Sequence, residues 1–296
     1  MTGNIFAVKR FAVHDGDGIR TTLFFKGCPL RCLWCQNPEG LSASPELAYH
    51  EAKCLSCGLC ASACETGAHR LLDGRHLFDR TLCVSCGRCA EGCPGDALTA
   101  YGRAVSIEEI LPELLADRDF YDASGGGVTF SGGECLLQSD FCTALAKALC
   151  DEGISVNIDT CGAVPYSSIS ALLPYTEKFL YDIKAIDENV HRRCTGRSNR
   201  EILANLTRLL REGGEVEIRV PYVPQYNDSE LPAIAAFLAA HDKKPSGIRV
   251  LAFHPYAGSK YAALARKSEM PTVIPTETEL TKAKEILRSA GLRVIE

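Results

Sequence analysis

Three cysteines lie close together near the start of the chain, in the segment Gly27-Cys28-Pro29-Leu30-Arg31-Cys32-Leu33-Trp34-Cys35. The segment follows an apolar run, Ile19 to Phe25, with the β-branched and aromatic composition of a strand. These spacings bring the three sulfurs to one side of a tight turn, and thiolates select zinc, copper(I) or iron–sulfur clusters. Structural zinc sites and electron-transfer clusters normally take four protein ligands. Three cysteines therefore predict a metal site with one open coordination position; their density disfavours the alternative of small apolar packing residues.

The number of cysteines also constrains where the protein can work. The chain has 16 cysteines in 296 residues, and residues 1–18 lack the basic-then-apolar pattern of a signal peptide. Because the cytosol keeps thiols reduced, we expect a cytoplasmic protein that uses these residues for metal and not for disulfides. No apolar run approaches the roughly 18 residues of a membrane span. A net charge of −5 without a basic tract argues against nucleic acid as the main partner.

Two further cysteine runs, in the cysteine-rich segment (residues 53–100), repeat each other at an offset of 29 residues. This duplicated spacing is typical of ferredoxins with two 4Fe-4S clusters, in which the fourth cysteine of each run binds the other run's cluster. We therefore expect one cluster on Cys54, Cys57, Cys60 and Cys93 and another on Cys64, Cys83, Cys86 and Cys89. The first run has Glu65 where the second has Pro94, which leaves the turn geometry open. Two zinc sites are a weaker alternative, since paired Cys-x2-Cys knuckles are more usual there.

A segment this short cannot build a large apolar core, so metal is expected to supply most of its stability. The remaining five cysteines are scattered, and we interpret them as small buried apolar side chains. They are Cys135, Cys142, Cys150, Cys161 and Cys194.

The rest of the chain alternates strands with helices. The predicted strands are Ile19–Phe25, Val128–Phe130, Ile154–Ile158, Lys178–Ile183, Glu215–Val220 and Ile248–Phe253, with a last strand over Leu292–Ile295. This alternation predicts a parallel sheet covered by helices, although periodicity alone does not separate an open sheet from a barrel. In parallel α/β folds the ligand site lies at the carboxyl ends of the strands.

The cysteine motif and its flanks, Asp15-Gly16-Asp17-Gly18-Ile19-Arg20 and Gln36-Asn37-Pro38-Glu39-Gly40, resemble the radical S-adenosylmethionine (SAM) superfamily. Within it, they resemble the activating enzymes of glycyl radical enzymes, over nearly the whole chain. The resemblance implies an α/β fold, a partial (β/α)6 barrel from residues 1–52 and 101–296, with a small ferredoxin-like two-cluster insert at residues 53–100. It also implies a third 4Fe-4S cluster, on Cys28, Cys32 and Cys35, whose open iron is chelated by the amino and carboxylate groups of SAM.

The resemblance further implies a reaction. Reductive cleavage of SAM gives methionine and a 5′-deoxyadenosyl radical, which abstracts a Cα hydrogen from one glycine of a partner glycyl radical enzyme. The cofactor supplies this chemistry, so no catalytic side chain is expected. The implied partner is a small-molecule eliminase, lyase or decarboxylase and not pyruvate formate-lyase. A low-potential electron donor such as flavodoxin or ferredoxin is implied, and we expect a monomer.

Residues at the strand ends match the family's SAM site. Gly132-Gly133-Glu134 matches its glycine-glycine-glutamate motif, in which the glycines allow close approach of a ligand and Glu134 can accept from an ammonium. Cys135 stands where the family usually has proline. The other implied SAM contacts are Trp34, Cys35, Gln36, Asp159, Thr160, Asp182, Ile183, Lys184, Arg219 and His254. A monovalent cation or Lys184 would offset the repulsion between the SAM carboxylate and the two aspartates.

Asp15, in a predicted mobile loop from His14 to Gly18, is the implied contact to the partner peptide. Each of these sites has a structural alternative: Asp15 as a turn former, Asp159-Thr160 as a helix N-cap, Arg219 in an ion pair and His254 in a structural role.

Two rival functions use the same motifs. A radical SAM enzyme could modify a peptide or small molecule directly, but such relatives usually carry their extra clusters after the barrel. Here the cysteine-rich segment lies between the first strand and the second. A ferredoxin-like electron carrier would require neither the incomplete cysteine set nor Gly132-Gly133-Glu134.

Overall fold

The computed structural model describes residues 1–296. The strands are β1 Thr2–Ala12, β2 Arg20–Phe25, β3 Glu46–Tyr49, β4 His69–Leu72, β5 Arg75–Phe78, β6 Leu98–Tyr101, β7 Arg103–Ser106, β8 Gly127–Gly132, β9 Ser155–Thr160, β10 Lys178–Asp182, β11 Val216–Tyr222, β12 Gly247–Ala252 and β13 Val294–Ile295. The helices are α1 Leu59–Ala63, α2 Arg88–Glu91, α3 Ile107–Leu115, α4 Arg118–Ser124, α5 Ser139–Asp151, α6 Tyr166–Leu172, α7 Glu188–Thr195, α8 Arg200–Arg211, α9 Leu231–Ala239, α10 Gly258–Ala263 and α11 Glu277–Ser289. None of them is long and apolar enough to cross a membrane.

One nine-stranded sheet forms the body of the protein, in the order β13-β12-β11-β10-β9-β8-β2-β1-β7. Every neighbouring pair from β2 to β13 is parallel, which confirms the predicted parallel sheet. β1 pairs antiparallel with both β2 and β7. Strands β1 and β7 thus extend the sheet beyond the strands predicted above. The parallel run puts the carboxyl ends of the seven predicted strands on one rim.

The two faces of the sheet differ in chemistry because successive side chains point to opposite sides of a strand. Apolar residues such as Phe130, Ile158 and Ile218 pack under the helices in a core of 41 buried residues. The residues next to them in sequence, Thr129, Asn157 and Glu217, are equally buried but polar. The face away from the helices is therefore a polar interior, and the site described below lies at its rim.

Helix α8 shows how the sequence determines the covering layer. Ile202, Leu206 and Leu209 recur at helical spacing and are all buried against the sheet.

The cysteine-rich segment is built from two similar halves. Helices α1 and α2 each follow a glycine with positive φ, Gly58 at 80° and Gly87 at 82°, as the repeated spacing requires. Strands β3 and β6 pair antiparallel at the base of the segment, and β4 and β5 form a hairpin. Glu65, which replaces a proline, makes an ion pair with Arg88 of the other half. Because β6 begins at Leu98, the predicted boundary at residue 100 falls inside a strand, and the division into domains stays a prediction.

Candidate cofactor site

A cavity of about 520 Å³ opens at the carboxyl ends of β8 to β12. We call it the strand-end cavity; its volume is typical of small-molecule sites, which span roughly 300–1,000 Å³. The predicted site residues that line it are Cys28, Cys32, Trp34, Cys35, Gln36, Gly132, Gly133, Asp159, Thr160, Asp182, Lys184, Arg219 and His254. Three predicted residues, Glu134, Ile183 and Asp15, do not line it. Strand ends that are far apart in sequence thus meet around one space.

The three cysteines lie on a loop that backbone hydrogen bonds fix to the end of α7. The amides of Arg31 and Leu33 donate to the carbonyls of Thr195 and Cys194, at 2.8 and 3.0 Å. Burial raises the pKa of the Cys35 thiol to about 11 and raises that of Cys32 even further. A cation is therefore needed to hold these sulfurs as thiolates, and a bound metal supplies one. The donor set fits an iron–sulfur cluster with one open corner.

Gly132 and Gly133 are required by the packing of the cysteine loop. A side chain on Gly133 would place its Cβ 2.2 Å from the Gly27 carbonyl oxygen and 2.5 Å from that of Gly40. Gly132 has a φ of +111°, which disfavours residues with a side chain. We predicted these glycines for close approach to a ligand. In the structure they line the cavity and also let β8 approach the backbone that carries Cys28.

Glu134 is fully buried behind the cavity wall. Its carboxylate accepts from the Thr160 hydroxyl at 2.9 Å, the Cys161 amide at 2.8 Å and the Leu136 amide at 3.1 Å. The Glu134 amide donates to the Gly27 carbonyl at 2.7 Å. Glu134 therefore ties the cysteine loop to the end of β9, and the geometry gives no support to a direct contact with SAM. Ile183 likewise packs in the apolar core.

Two carboxylates and two cationic side chains lie together at the rim. Asp159 lies 3.7 Å from the Arg219 guanidinium and accepts from the Ser131 hydroxyl at 2.6 Å. Burial raises the pKa of Asp159 to about 6, partly opposed by Arg219. Lys184 lies 2.5 Å from Asp182. Burial acts to lower the pKa of Lys184, but Asp182 and the nearby thiols raise it above its usual value, so the ammonium stays charged.

The structure tests two of the structural alternatives, the helix N-cap at Asp159-Thr160 and the ion pair of Arg219. Asp159 and Thr160 end a strand and the next helix begins only at Tyr166, so the helix N-cap interpretation is wrong. Arg219 does make the ion pair proposed as its structural alternative, and it also donates to the His14 carbonyl at 2.7 Å.

Several buried polar atoms at the cavity have no partner. Arg219 Nε and His254 Nδ1 make no hydrogen bond, although both are buried. Gln36 donates to the His254 backbone carbonyl at 2.8 Å, and Trp34 packs behind it against Phe253. Unpaired buried groups are costly, so these atoms fit a site in which a polar ligand such as SAM satisfies them.

Asp15 lies on a loop that enters the polar interior of the sheet. Its carboxylate accepts from the Thr22 hydroxyl and its carbonyl from the Thr129 hydroxyl, both at 2.7 Å. Asp17 of the same loop pairs with Lys178. Asp15 therefore does not line the cavity, and its contact to a partner peptide stays a prediction.

Sequence reasoning missed Cys161. We predicted it as a small buried side chain, and it is buried, but it also lines the cavity that Cys28 lines. The prediction of burial is correct for Cys135, Cys142, Cys161 and Cys194, and wrong for Cys150, which is exposed. The position of Cys161, directly after Asp159-Thr160 at a strand end, was the available signal.

The other eight cysteines form two sets of four around two small cavities. One cavity is lined by Cys54, Cys57, Cys60 and Cys93, and the other by Cys64, Cys83, Cys86 and Cys89. Each set takes its fourth member from the other run, as the spacing predicts. Backbone amides donate to the Cys54 and Cys83 sulfurs at 3.4 Å and to that of Cys93 at 3.3 Å. Such donors suit thiolates of iron–sulfur clusters, but ligation itself stays a prediction.

Comparisons with known proteins agree with this geometry. The family model described as the Radical SAM superfamily matches residues 22–238. The chain is 38% identical over 293 residues to the (2S)-3-sulfopropanediol sulfolyase activating enzyme of Bilophila wadsworthia, covering 97% of both chains. It is 41% identical over 267 residues to the choline trimethylamine-lyase activating enzyme of Oleidesulfovibrio alaskensis, covering 88% of this chain and 86% of that one.

Among solved structures, the chain is similar to a domain of the pyruvate-formate lyase-activating enzyme from Bacteroides vulgatus. The TM-score is 0.50 at 27% identity, and the match covers 57% of this chain and 98% of that one. The match is therefore to part of the present chain only, which agrees with a shared α/β scaffold carrying additional elements here.

Proposed function

The chain belongs to the radical SAM superfamily and, within it, to the activating enzymes of glycyl radical enzymes, and from that membership we propose how its residues serve the reaction. The protein is an enzyme that activates a glycyl radical enzyme. When bound, SAM and its 4Fe-4S cluster supply the radical that abstracts a hydrogen atom from a glycine of the partner. The observation that carries the proposal is that the incomplete cysteine set and the polar strand ends line one cavity.

We propose that Cys28, Cys32 and Cys35 hold the cluster and leave one iron for SAM. Desolvation raises the pKa of the Cys32 and Cys35 thiols, which favours a metal-bound thiolate over a free one. The loop's hydrogen bonds to α7 and its contact with Gly133 fix the three sulfurs before metal binds, so little ordering remains for that step.

In this proposal the rim orients SAM by charge. Asp159 and Asp182 lie near the carboxylate end, where Arg219 and Lys184 balance their negative charge; the free Nε of Arg219 is a ready donor. His254 Nδ1 and the segment Trp34 to Gln36 serve the adenine and ribose. A monovalent cation beside the two aspartates belongs to the proposal, since the SAM carboxylate adds a third negative charge there. Asp15 would contact the peptide of the partner.

We further propose that residues 53–100 form a ferredoxin-like insert that holds two auxiliary 4Fe-4S clusters, which makes three in all. The cysteine sets around the two small cavities support this. Cys57 and Cys86 are exposed, so an external donor such as flavodoxin or ferredoxin can approach both. We propose that the auxiliary clusters relay electrons or dock the donor, in a cytoplasmic monomer.

The partner is proposed to be a small-molecule eliminase or lyase and not pyruvate formate-lyase. The similar proteins named for sulfopropanediol, choline and benzylsuccinate enzymes match 88 to 98% of this chain. The pyruvate-formate lyase-activating domain matches 57% of it.

The proposal is tested with anaerobically reconstituted protein, reduced and mixed with SAM. We expect 5′-deoxyadenosine to form, and its amount should exceed that of the protein only when a partner or reductant allows repeated turnover. We also expect a glycyl radical signal on the added partner, detected by electron paramagnetic resonance (EPR). A partner in which the target glycine is alanine is the control. An electron carrier gives no 5′-deoxyadenosine. An enzyme that modifies small molecules directly gives 5′-deoxyadenosine without a radical on any glycyl radical enzyme, and either result would refute the proposal.

A further inference from the structure

Two histidines of the β4–β5 hairpin connect the two small cavities of the cysteine-rich segment. His76 lines the cavity that Cys60 lines, and His69 lines the cavity that Cys89 lines. A hydrogen bond of 2.9 Å joins His69 Nδ1 to His76 Nε2. We call these two residues the histidine pair, and the cavities at Cys60 and Cys89 the first and second small cavities. Both cavities are therefore lined by one hydrogen-bonded unit.

The repeat in the sequence indicates that packing does not require His69. The offset of 29 residues that relates the two cysteine runs places His69 at the position of Leu98. Leu98 lines the first small cavity, as His69 lines the second. An alkyl side chain therefore suffices at this position of the repeat, and the histidine adds two ring nitrogens that packing does not explain.

The outer nitrogens of the pair, His69 Nε2 and His76 Nδ1, are buried and make no hydrogen bond. Aromatic contacts hold both rings: His69 stacks on Phe78 with 4.5 Å between ring centroids, and His76 meets Tyr49 edge to face at 4.6 Å. One nitrogen of each ring lies within 4.8 Å of the Cys60 sulfur. A buried polar atom without a partner is costly. The outer nitrogens thus fit a state in which the sulfurs of bound clusters lie beside them.

The number of hydrogens on the pair limits what it can donate. An uncharged imidazole carries a hydrogen on one of its two nitrogens, so two uncharged rings carry two hydrogens. The bond between the rings uses one of them, which leaves one hydrogen for the two outer nitrogens. If His69 donates within the pair, this hydrogen is on His76 Nδ1; if His76 donates, it is on His69 Nε2.

Resting on the proposed function and its two-cluster insert, we infer that the histidine pair donates an N–H to the auxiliary cluster of one small cavity and presents a bare nitrogen to the other, and so sets the two reduction potentials apart. Hydrogen bonds to cluster sulfurs tune the potential. An N–H donor favours the more negative, reduced state, whereas the lone pair of a bare nitrogen opposes it. Unequal potentials give electron transfer between the auxiliary clusters a preferred direction.

A linked pair and two independent histidines predict different signs for the difference between the two auxiliary midpoint potentials. Independent donors would each raise the potential of their own cluster, so His69→Leu and His76→Leu would change this difference in opposite directions. In the linked pair, both substitutions abolish the same contrast between an N–H and a bare nitrogen. Both should therefore change the difference in the same direction.

The test is an anaerobic redox titration of the full, reconstituted protein, followed by EPR at about pH 8. This pH is above the ordinary histidine pKa of about 6.5, so both rings are uncharged. The SAM cluster signal is the one that changes when SAM is added, and Cys57→Ser and Cys86→Ser assign the other two signals. We expect both histidine variants to shift the difference between the auxiliary potentials with the same sign. Shifts of opposite sign, or no shift, overturn the inference.

Leu71→Ala is the matched control. Leu71 pairs with His76 in the hairpin and is 45% exposed, so its truncation should leave both potentials unchanged; a shift as large as that of the histidine variants would overturn the inference. Iron and sulfide are measured in every variant. Where a leucine variant assembles less cluster, His69→Phe and His76→Phe keep a ring without nitrogens and must give the same sign.

Zinc is measured as well, because an ion held by Cys60 and the histidine pair would replace the hydrogen bond between the rings. Zinc that is present in the wild type and lost from both histidine variants overturns the inference.

Failure of this inference is distinguishable from failure of the proposed function. The titration follows the auxiliary clusters, whereas the proposed function requires 5′-deoxyadenosine from the wild type and a glycyl radical on its partner. Wild-type protein that forms both, with histidine variants of unchanged potentials, refutes the role of the histidine pair alone. Wild-type iron that suffices only for the SAM cluster refutes the auxiliary clusters and this inference together, while activation of the partner still stands.

Discussion

The parallel sheet and the cysteine-rich segment are stabilised in different ways. The sheet and its helices share a core of 41 buried residues, whereas the apolar cluster at the cysteine-rich segment has three, Cys89 and Leu98 of the segment and Leu47 of β3. Large apolar side chains of the segment face solvent instead: Leu55 is 67% exposed and Val84 68%. A region with so few buried contacts should open easily unless another interaction holds it. The proposed auxiliary clusters on the eight cysteines would supply that interaction, with metal in place of an apolar core.

The largest expected effect comes from placing one substitution in each region. Cys32→Ser should abolish 5′-deoxyadenosine formation, since it removes one of the only three ligands proposed for the SAM cluster. The matched substitution Cys86→Ser removes a ligand from a proposed auxiliary cluster and should leave SAM cleavage with an artificial reductant in place. Iron content and 5′-deoxyadenosine yield are measured for both. Equal loss of SAM cleavage in the two variants would show that the regions do not work separately.

Metal removal should separate the two regions in stability. After anaerobic chelation, we expect backbone amides of residues 54–93 to exchange with deuterium at nearly the rate of an unfolded chain. Amides of β9 and β10 should remain protected, because these strands are paired with each other among buried apolar residues. Packing, and not metal, maintains their hydrogen bonds. Hydrogen exchange read by mass spectrometry gives both measurements in one sample. Retained protection of the cysteine-rich segment in metal-free protein contradicts the comparison drawn above.

The same contrast explains how far the sequence predicts the fold. The parallel strands and α8 carry regular apolar periodicity that depends on their own residues, so their positions could be predicted. Strand β1 could not, because its residues alternate poorly and its pairing depends on β2 and β7, which lie on either side of it in space. In the cysteine-rich segment, the spacing of the cysteines predicts which of them lie around one cavity, since this spacing is a pattern within a short stretch of sequence.

For the site, strand-end residues such as Asp182 and Arg219 could be predicted because parallel topology alone brings them to one rim. The roles of Glu134 and Cys161 could not. Glu134 is turned away from the cavity by partners at the end of a different strand. Cys161 lines one cavity with Cys28, which lies on a loop more than a hundred residues earlier in the chain. Contacts of this kind follow from packing and leave no local pattern.

Two substitutions of apolar side chains by alanine compare the free energy of unfolding that each region contributes. Phe179→Ala removes a fully buried ring from the sheet core and should lower the free energy of unfolding by about 3–5 kcal/mol. Leu77→Ala, at a side chain that is 44% exposed in β5, should change it by about 0.5 kcal/mol or less. Anaerobic denaturant unfolding followed by circular dichroism measures both. A Leu77 effect as large as that of Phe179 would mean that the cysteine-rich segment has an apolar core after all.

The smallest expected effect concerns two aspartates whose pKa values shift in opposite directions. Burial raises the pKa of Asp159, at the rim of the sheet, to about 6 from 3.8. Protonated Asp159 therefore favours the folded state, and this stabilisation is lost as the pH rises from about 4 to 6. The asparagine of Asp159→Asn does not titrate. Relative to that of the wild type, the free energy of unfolding of this variant should therefore rise by on the order of 1 kcal/mol between pH 4 and pH 7.

Asp79 in the cysteine-rich segment provides the opposite sign. The Thr81 hydroxyl and amide donate to its carboxylate and lower its pKa, so its stabilising effect is present above the unfolded pKa and is lost as the pH falls through the folded one. Asp79→Asn should therefore be less stable than the wild type at neutral pH, and the difference should shrink in acid. Thermal unfolding of both variants and the wild type across this pH range gives the difference in stability between each variant and the wild type. The contribution of the thiols, which all three proteins share, cancels in these differences. Differences that do not vary with pH would show that neither carboxylate has the environment described, because only a changed pKa on folding produces such a slope.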